Sequence, residues 1–475
     1  MGYLNTKEVL SSIPAVDEVK VEKLYRDALD SLDKKIVVLD DDPTGVQTVH
    51  GVAVITDWEK ETLINEFNED KKIFFVLTNS RGFTAKETEE VHKIIAENIQ
   101  YASEVTGKEY FVISRGDSTL RGHYPLETEV LRETIEKLSG KKLDGEIIMP
   151  FFKEGGRLTI KNTHYVDNGK ELVPAGETEF AKDRTFGYTK SNIGEWVEEK
   201  TKGEFLAKDT IGISLESLRN LEIDKISDQL MNVKDFNKVV VNAVDYVDIK
   251  IFCIALIKAL NSGKDFMYRT AAAFTKIVGG ITNKPILLRN DLVKKDNGNG
   301  GLIIVGSHVK KTTEQLYELM KNDSVEYIEF DCHLVLEPIK FRAELERVIE
   351  KCDATIGSGK TCCVYTKRER LDLGENKKEE ELKVSVEISD AVTSIVSRIK
   401  NKPNYVIAKG GITSSDVGTK GLNVKKAIVA GQIKPGIPVW TIGDESRFPG
   451  TPYVIFPGNV GAVTTFREAV EVLEG

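Results

Sequence analysis

Cysteine and histidine are scarce in this chain, and long apolar runs are missing. The five cysteines, Cys253, Cys332, Cys352, Cys362 and Cys363, sit in apolar settings without C-x-x-C spacing. That argues against a disulfide scaffold or a cysteine-built zinc site, and predicts reduced, mostly buried thiols in a cytoplasmic protein. The six histidines are scattered, and only His123 and His308 fall in loops of interest, so no metal site is predicted. The most apolar stretch, residues 251–260, contains Lys258 and is too short for a membrane span of roughly 20 residues. The N-terminus has no basic start followed by an apolar run, so no secretory signal is read there. Basic residues are outnumbered by acidic ones, 66 to 75, for a net charge of −9. That excludes a general nucleic-acid binder but leaves room for a local cationic pocket for a small acid. No G-x-S-x-G and no H-E-x-x-H occur, and the first strand–helix turn lacks G-x-G-x-x-G, which argues against a dinucleotide enzyme.

What the sequence does have is short apolar runs, each ending in polar or glycine-rich residues. In the first half these are residues 36–39, 52–56, 73–77, 110–114 and 146–149, with helical patterns at 84–104 and 127–138. In the second half they are 302–305, 327–330, 362–366, 405–408, 439–442 and 453–456. Short apolar strands alternating with helices predict an α/β fold with largely parallel sheets and flanking helices. The breaker KKDNGNGG at 294–301 marks the expected boundary. The expected organisation is a helical lead-in over 1–34, a first domain over 35–293, a linker over 294–301 and a second domain over 302–475. The charge-dense segment 367–383 reads as a solvated connection.

Residues 357–361, GSGKT, imitate a phosphate-binding P-loop. The full G-x-x-x-x-G-K-[ST] pattern needs glycine where Ala354 stands. The order is also reversed: a helix precedes the motif and a strand follows it, so the motif is expected to be a plain turn.

Ligands of parallel α/β sheets sit beyond the strand carboxyl ends, so the polar residues there are the candidates. Asp40-Asp41-Asp42-Pro43-Thr44-Gly45 follows the first run, Asn79-Ser80-Arg81-Gly82 the third, and Arg115 to His123 (RGDSTLRGH) the fourth. The stretch 150–159, PFFKEGGRLT, follows the fifth. Adjacent carboxylates are tolerable when solvated or facing cations, arginine forks match carboxylate and phosphate oxygens, and hydroxyls bond sugar hydroxyls. Together these loops point to a small, hydroxylated anion. In the second half, Gly306-Ser307-His308, Lys409-Gly410-Gly411-Ile412-Thr413 and Pro457-Gly458-Asn459-Val460-Gly461 end strands. Glycine and hydroxyl loops of this kind let backbone amides approach phosphate.

These motifs resemble the four-carbon acid sugar kinase family from about residue 36 to the C-terminus. Asp41-Asp42-Pro43-Thr44-Gly45 is similar to its DDxTG motif, Ser80-Arg81 to its SR pair, and Asp117–Gly122 carries DSTLRG intact. Pro150, Phe152, Gly156 and Arg157 are similar to its proline–aromatic–glycine–arginine stretch. Ser307, Gly410-Gly411-Ile412-Thr413 and Gly458-Asn459-Val460-Gly461 look like its nucleotide-site loops. Asp40, Pro43, Arg115, Gly116 and Ser414 depart from the usual family residues.

The resemblance implies an acid-sugar domain followed by an ATP domain, with the site in the cleft between them, and an ATP- and magnesium-dependent kinase for an acid such as threonate, erythronate or an oxo-tetronate. Asp42, Asp117 and Arg121 are the expected catalytic residues, either aspartate being the proton acceptor. Asp41, Thr44, Gly45, Ser80, Arg81, Arg115, Ser118, Thr119 and Arg157 are expected to bind the acid. Gly306, Ser307, Gly410, Gly411, Ile412, Thr413, Gly458 and Asn459 are expected to bind ATP. The expected partners are these two small molecules, without nucleic acid or membrane; oligomeric state is open, a homodimer being one option. The rival readings are a non-catalytic metabolite sensor on the same scaffold and a kinase for a different small hydroxy-acid.

Overall fold

The computed structural model describes residues 3–369, 371 and 378–475. The chain forms two compact units: Met1–Gly45 with Asp57–Thr282, and Val46–Thr56 with Asn283–Gly475.

The first unit is built on a parallel sheet whose strands run, in spatial order, Ile211–Ile213, Asn237–Val241, Gly145–Met149, Phe266–Thr270, Tyr110–Arg115, Lys35–Asp40 and Ile73–Leu77. Their near-continuous apolar composition follows from helices covering both faces. One is Ala85–Thr106, started by a capping box of Thr84 and Glu87 and ended by Gly107 in the left-handed region. Another is Tyr246–Asn261, which takes up the apolar stretch 251–260 as a buried core helix. No helix among the described residues is long and apolar enough to cross a membrane. A small antiparallel sheet, Leu4–Asn5, Glu171–Pro174, Thr163–Asp167 and Arg157–Ile160, stands apart from the main one.

The second unit has a parallel core of Val325–Phe330, Thr361–Thr366, Leu302–Val305, Val406–Lys409 and Pro452–Phe456. It continues antiparallel through Ile437–Ile442 and Lys426–Lys434 to Ala53–Ile55. That last pairing is why the segment Val46–Thr56 groups with the second unit: its ladder partner is a strand some 370 residues downstream. The breaker 294–301 also lies within this unit. Asp296 accepts from the Asn404 amide at 2.7 Å, and Asn297 donates to the Lys402 carbonyl at 2.9 Å, which ties the segment down. GSGKT is a helix-to-strand turn: Pro338–Gly357 ends in it and Thr361–Thr366 leaves it. Within the segment 367–383, residues 370 and 372–377 lie outside the described residues, and Lys378–Arg398 is helix.

Three strands of the first sheet are absent from the sequence reading, and two of them, Asn237–Val241 and Phe266–Thr270, hide a charge in their run. Lys238 faces Glu146 on the neighbouring strand at 2.7 Å, both fully buried. The ammonium lies 3.9 and 4.0 Å from the ring centroids of Phe205 and Phe236, and the Tyr124 hydroxyl donates to Glu146 at 3.1 Å. Glu146→Ala leaves that ammonium buried and unpaired and should destabilise the protein by about 3–5 kcal/mol in chemical denaturation. Glu146→Leu combined with Lys238→Met should recover most of that loss. A single-variant loss under about 1 kcal/mol would mean that the pair does not hold these strands together.

Candidate functional site

Strand order brings the first three candidate loops together. Lys35–Asp40 lies between Ile73–Leu77 and Tyr110–Arg115, and Asp40 stands in register with both Leu77 and Arg115. Their carboxyl-terminal loops therefore leave the sheet side by side. The side chains there form one chain of alternating charge. Arg115 Nη1 donates to Asp40 at 3.0 Å and to Asp41 at 3.2 Å. Arg81 donates to both Asp41 oxygens, at 2.8 and 3.1 Å, and to Asp42 at 3.3 Å. The order Asp40–Arg115–Asp41–Arg81–Asp42 runs outward: the Arg115, Asp40 and Asp41 side chains are 2–4 % exposed, the Arg81 side chain 26 %. Asp42 also accepts from the Thr44 amide at 2.8 Å. Gly45 is required by close approach, since a Cβ there would lie 2.0 Å from an Asp40 oxygen.

Burial pushes the Asp40 carboxyl up to about 7; Arg115 opposes the rise and the charges of Asp41 and Asp42 add to it. Burial raises Asp41 as well, against the pull of Arg81 and Arg115. For Asp42, burial is outweighed by Arg81 and the Thr44 hydrogen bonds, so its pKa is lowered. The outer carboxylate is thus held ionised while the inner two resist ionisation.

The DSTLRG loop adds a second group. Arg121 Nε donates to Asp117 at 2.7 Å, and the Thr119 hydroxyl donates to the same carboxylate. Burial alone would raise Asp117; the charges of Arg81 and Arg121 outweigh it and hold the carboxyl well below the ordinary range. The loop backbone is fixed from behind: Tyr188 donates to the Thr119 carbonyl at 2.7 Å, and His164 Nε2 bonds the Ser118 carbonyl at 2.7 Å. Arg121 and Arg157 both lie over the Phe180 ring, 5.2 and 5.3 Å from its centroid.

Two expected acid-binding residues are turned inward. Ser80 is fully buried and donates to Glu127 at 2.6 Å, and Arg115 is occupied by Asp40 and Asp41. Both shape the floor of the site. The sequence reading missed Arg269, which bonds Glu127 and donates to Ser114 at 2.8 Å. Its guanidinium fills the space that a side chain at Gly116 or Gly122 would need, with Cβ contacts of 2.5 and 2.7 Å. The glycines flanking DSTLR were the available signal, but they do not say which residue fills the gap.

In the second unit, Leu302–Val305, Val406–Lys409 and Pro452–Phe456 are neighbouring parallel strands, and their end loops converge. A Cβ on Gly306 would lie 2.5 Å from the Thr413 hydroxyl, one on Gly410 2.8 Å from Ser307 Cβ, and one on Gly458 3.6 Å from Ser307 Oγ. Gly306, Ser307, Gly410, Thr413 and Gly458 thus stand together. Gly410 has φ +122° and leads into the helix Gly411–Asp416, on which Ile412 is exposed. Thr312 donates to the Gly458 carbonyl at 3.1 Å, and Lys311 Nζ reaches the Asn459 carbonyl at 3.5 Å. This is a backbone-lined edge of the kind that accepts phosphate.

Comparison with known families matches residues 36–278 to a sugar-binding N-terminal domain and residues 302–466 to a nucleotide-binding C-terminal domain. The chain belongs to the four-carbon acid sugar kinase family. Among solved structures, a Haemophilus influenzae protein of the DUF1537 family is 17 % identical, with a TM-score of 0.60 over 92 % of this chain and 99 % of that one. A Salmonella typhimurium LT2 protein provisionally named a tRNA synthase is 15 % identical, with a TM-score of 0.64 over 92 % and 98 %. At these identities the likeness concerns the fold. A search of curated protein sequences finds no match.

Members of this family carry a sugar-binding and a nucleotide-binding half, and each half yields a test here. The folded-state pKa of Asp40, about 7, lies above the unfolded value of about 3.9. The stability associated with the protonated form is therefore lost as pH rises through 7. Asp40→Asn removes that loss, so its melting temperature relative to wild type should climb from about pH 5 to 7 and level off above. A flat difference would show that Asp40 does not titrate there. In the nucleotide half, Gly410→Ala should weaken ADP binding about tenfold or more, because a side chain at this φ is strained and meets Ser307. Unchanged ADP affinity by calorimetry would remove Gly410 from the phosphate loops.

Proposed function

We propose that the protein is an ATP-dependent kinase that phosphorylates a hydroxyl of a short, four-carbon sugar acid such as threonate, erythronate or an oxo-tetronate. The observation that carries this reading is the outer end of the charge chain. Arg81, Asp42, Asp117 and Arg121 are partly exposed there, with Arg81 acting electrostatically on Asp117 as well as bonding Asp42. Guanidinium groups suit a substrate carboxylate, and the two ionised carboxylates accept from substrate hydroxyls.

Phosphoryl transfer depends on positioning and charge stabilisation more than on covalent chemistry. Arg121, backed by Phe180, binds the acid group. Asp117, held far below the ordinary range, stays ionised as a hydrogen-bond acceptor but is a weak base, and orients the hydroxyls. Asp42, whose guanidinium contact with Arg81 is 3.3 Å against 2.7 Å between Arg121 and Asp117, takes the proton of the attacked hydroxyl. The glycine loops of the second unit hold the nucleotide phosphates by their amides. No group of three His, Cys, Asp or Glu side chains suited to hold a metal occurs among the described residues. Magnesium would enter with the nucleotide, whose phosphates would supply most of its ligands.

Coupled ADP release with ATP, magnesium and a panel of threonates, erythronates and their 2- and 3-oxo forms tests the reading. Turnover dependent on one acid is expected; nucleotide binding without turnover across the panel would favour a metabolite sensor. With the substrate in hand, Asp42→Asn should lower kcat about 100-fold or more. Arg121→Ala should raise KM for the acid about tenfold or more and leave KM for ATP within about twofold. Asp42→Asn turnover within a few-fold of wild type would remove Asp42 as proton acceptor.

A further inference from the structure

Lys409 is the last residue of the strand Val406–Lys409, and its side chain is fully buried. Its Nζ donates to the carbonyls of Pro457 at 2.6 Å and Gly458 at 3.3 Å, and lies 4.2 Å from the centroid of the Phe456 ring. Among the described residues it forms no ion pair. A buried ammonium held only by carbonyl dipoles and an aromatic face is under-compensated. Its two acceptor carbonyls belong to the loop of Gly458, which stands with Gly306, Ser307 and Gly410. Its geometry also fixes the Pro457–Gly458 turn, whose Gly458 carbonyl takes a second bond from Thr312.

We propose that Lys409 is a positioning residue beneath the nucleotide phosphates, and that nucleotide binding draws a proton from solvent onto its amine. The inference rests on reading these loops as the phosphate site. Burial, with a smaller contribution from the charge of Lys311, lowers the Lys409 pKa to about 7. At alkaline pH the amine is therefore mostly neutral in the free protein. A polyphosphate above it supplies the missing negative charge and restores the ammonium. The charge of Lys311, on the helix Lys310–Leu319, acts on it, and Arg368 bonds the Ser307 carbonyl in the adjoining loop. His308, in the Ser307 loop, bonds the Lys367 carbonyl at 3.1 Å. Asp416, at the far end of the helix Gly411–Asp416, is engaged by Lys420 and Ser389.

The test is calorimetric titration of the full-length protein with ADP at about pH 8.5, in two buffers of different ionisation enthalpy, clear of phosphate titration near pH 6. Net uptake approaching one proton per ADP is expected, with affinity falling up to about tenfold per pH unit above 7. Lys409→Met should abolish the uptake and flatten the pH dependence. Lys409→Arg, charged throughout, should bind ADP without uptake. Wild-type binding with no proton uptake and a flat pH profile would overturn the proposal, and this reading requires no variant to fold. Uptake that survives in Lys409→Met would also overturn it, placing the proton elsewhere. Failure of the wild type to bind ADP or ATP at millimolar concentration would overturn the phosphate-loop reading and this inference with it.

Discussion

The sugar-binding half is organised around one constraint: three consecutive aspartates leave the end of a buried strand. Asp40, Asp41 and Asp42 cannot all be ionised side by side in an apolar setting unless cations are interleaved. Arg115 and Arg81 supply those cations from the two flanking strand ends. The register that places Arg115 opposite Asp40 is part of the solution. So is the absence of a side chain at Gly45, which lets the innermost carboxylate sit against the backbone. Breaking any link would leave a buried charge uncompensated, so the outer members inherit their geometry from the inner ones. Arg269 and Glu127 repeat the device one layer behind, with Ser80 and Ser114 as neutral partners.

The nucleotide-binding half solves the opposite problem with other means. Its strand ends carry glycines and hydroxyls, and its one deeply buried cation, among the described residues of these loops, bonds only carbonyls and an aromatic face. A polyphosphate brings its own negative charge, and in the proposed reading these loops meet it with amides, space and the Lys409 amine. A sugar offers less charge and more stereochemistry, and the first unit presents a rigid array of fixed donors and acceptors. The difference between the two loop sets follows from the ligands named for the two domains.

Much of this was legible in the chain. The apolar runs ending in DDDPTG, NSRG and RGDSTLRGH located three adjacent strand ends, because two-sided burial produces continuous apolar strands. The false P-loop could be dismissed on element order alone. Less legible were strands with a charge in their run. Lys238 and Arg269 interrupt otherwise apolar runs, and their partners Glu146 and Glu127 lie far away in the chain. The exchange of Val46–Thr56 into the second unit was hidden too, since its pairing partner lies hundreds of residues away.

The sequence by itself determined the element types, the two strand–helix series and the loops that carry chemistry, because hydrophobic period and turn residues are local properties. Tertiary structure alone decided which members of those loops face outward. Ser80 and Arg115 carry the same side chains as any ligand-binding serine or arginine. They turn inward because Glu127, Asp40 and Asp41 are there to receive them. Pairing, burial and the resulting charge state depend on distances between residues far apart in the chain, and only the folded arrangement sets those distances.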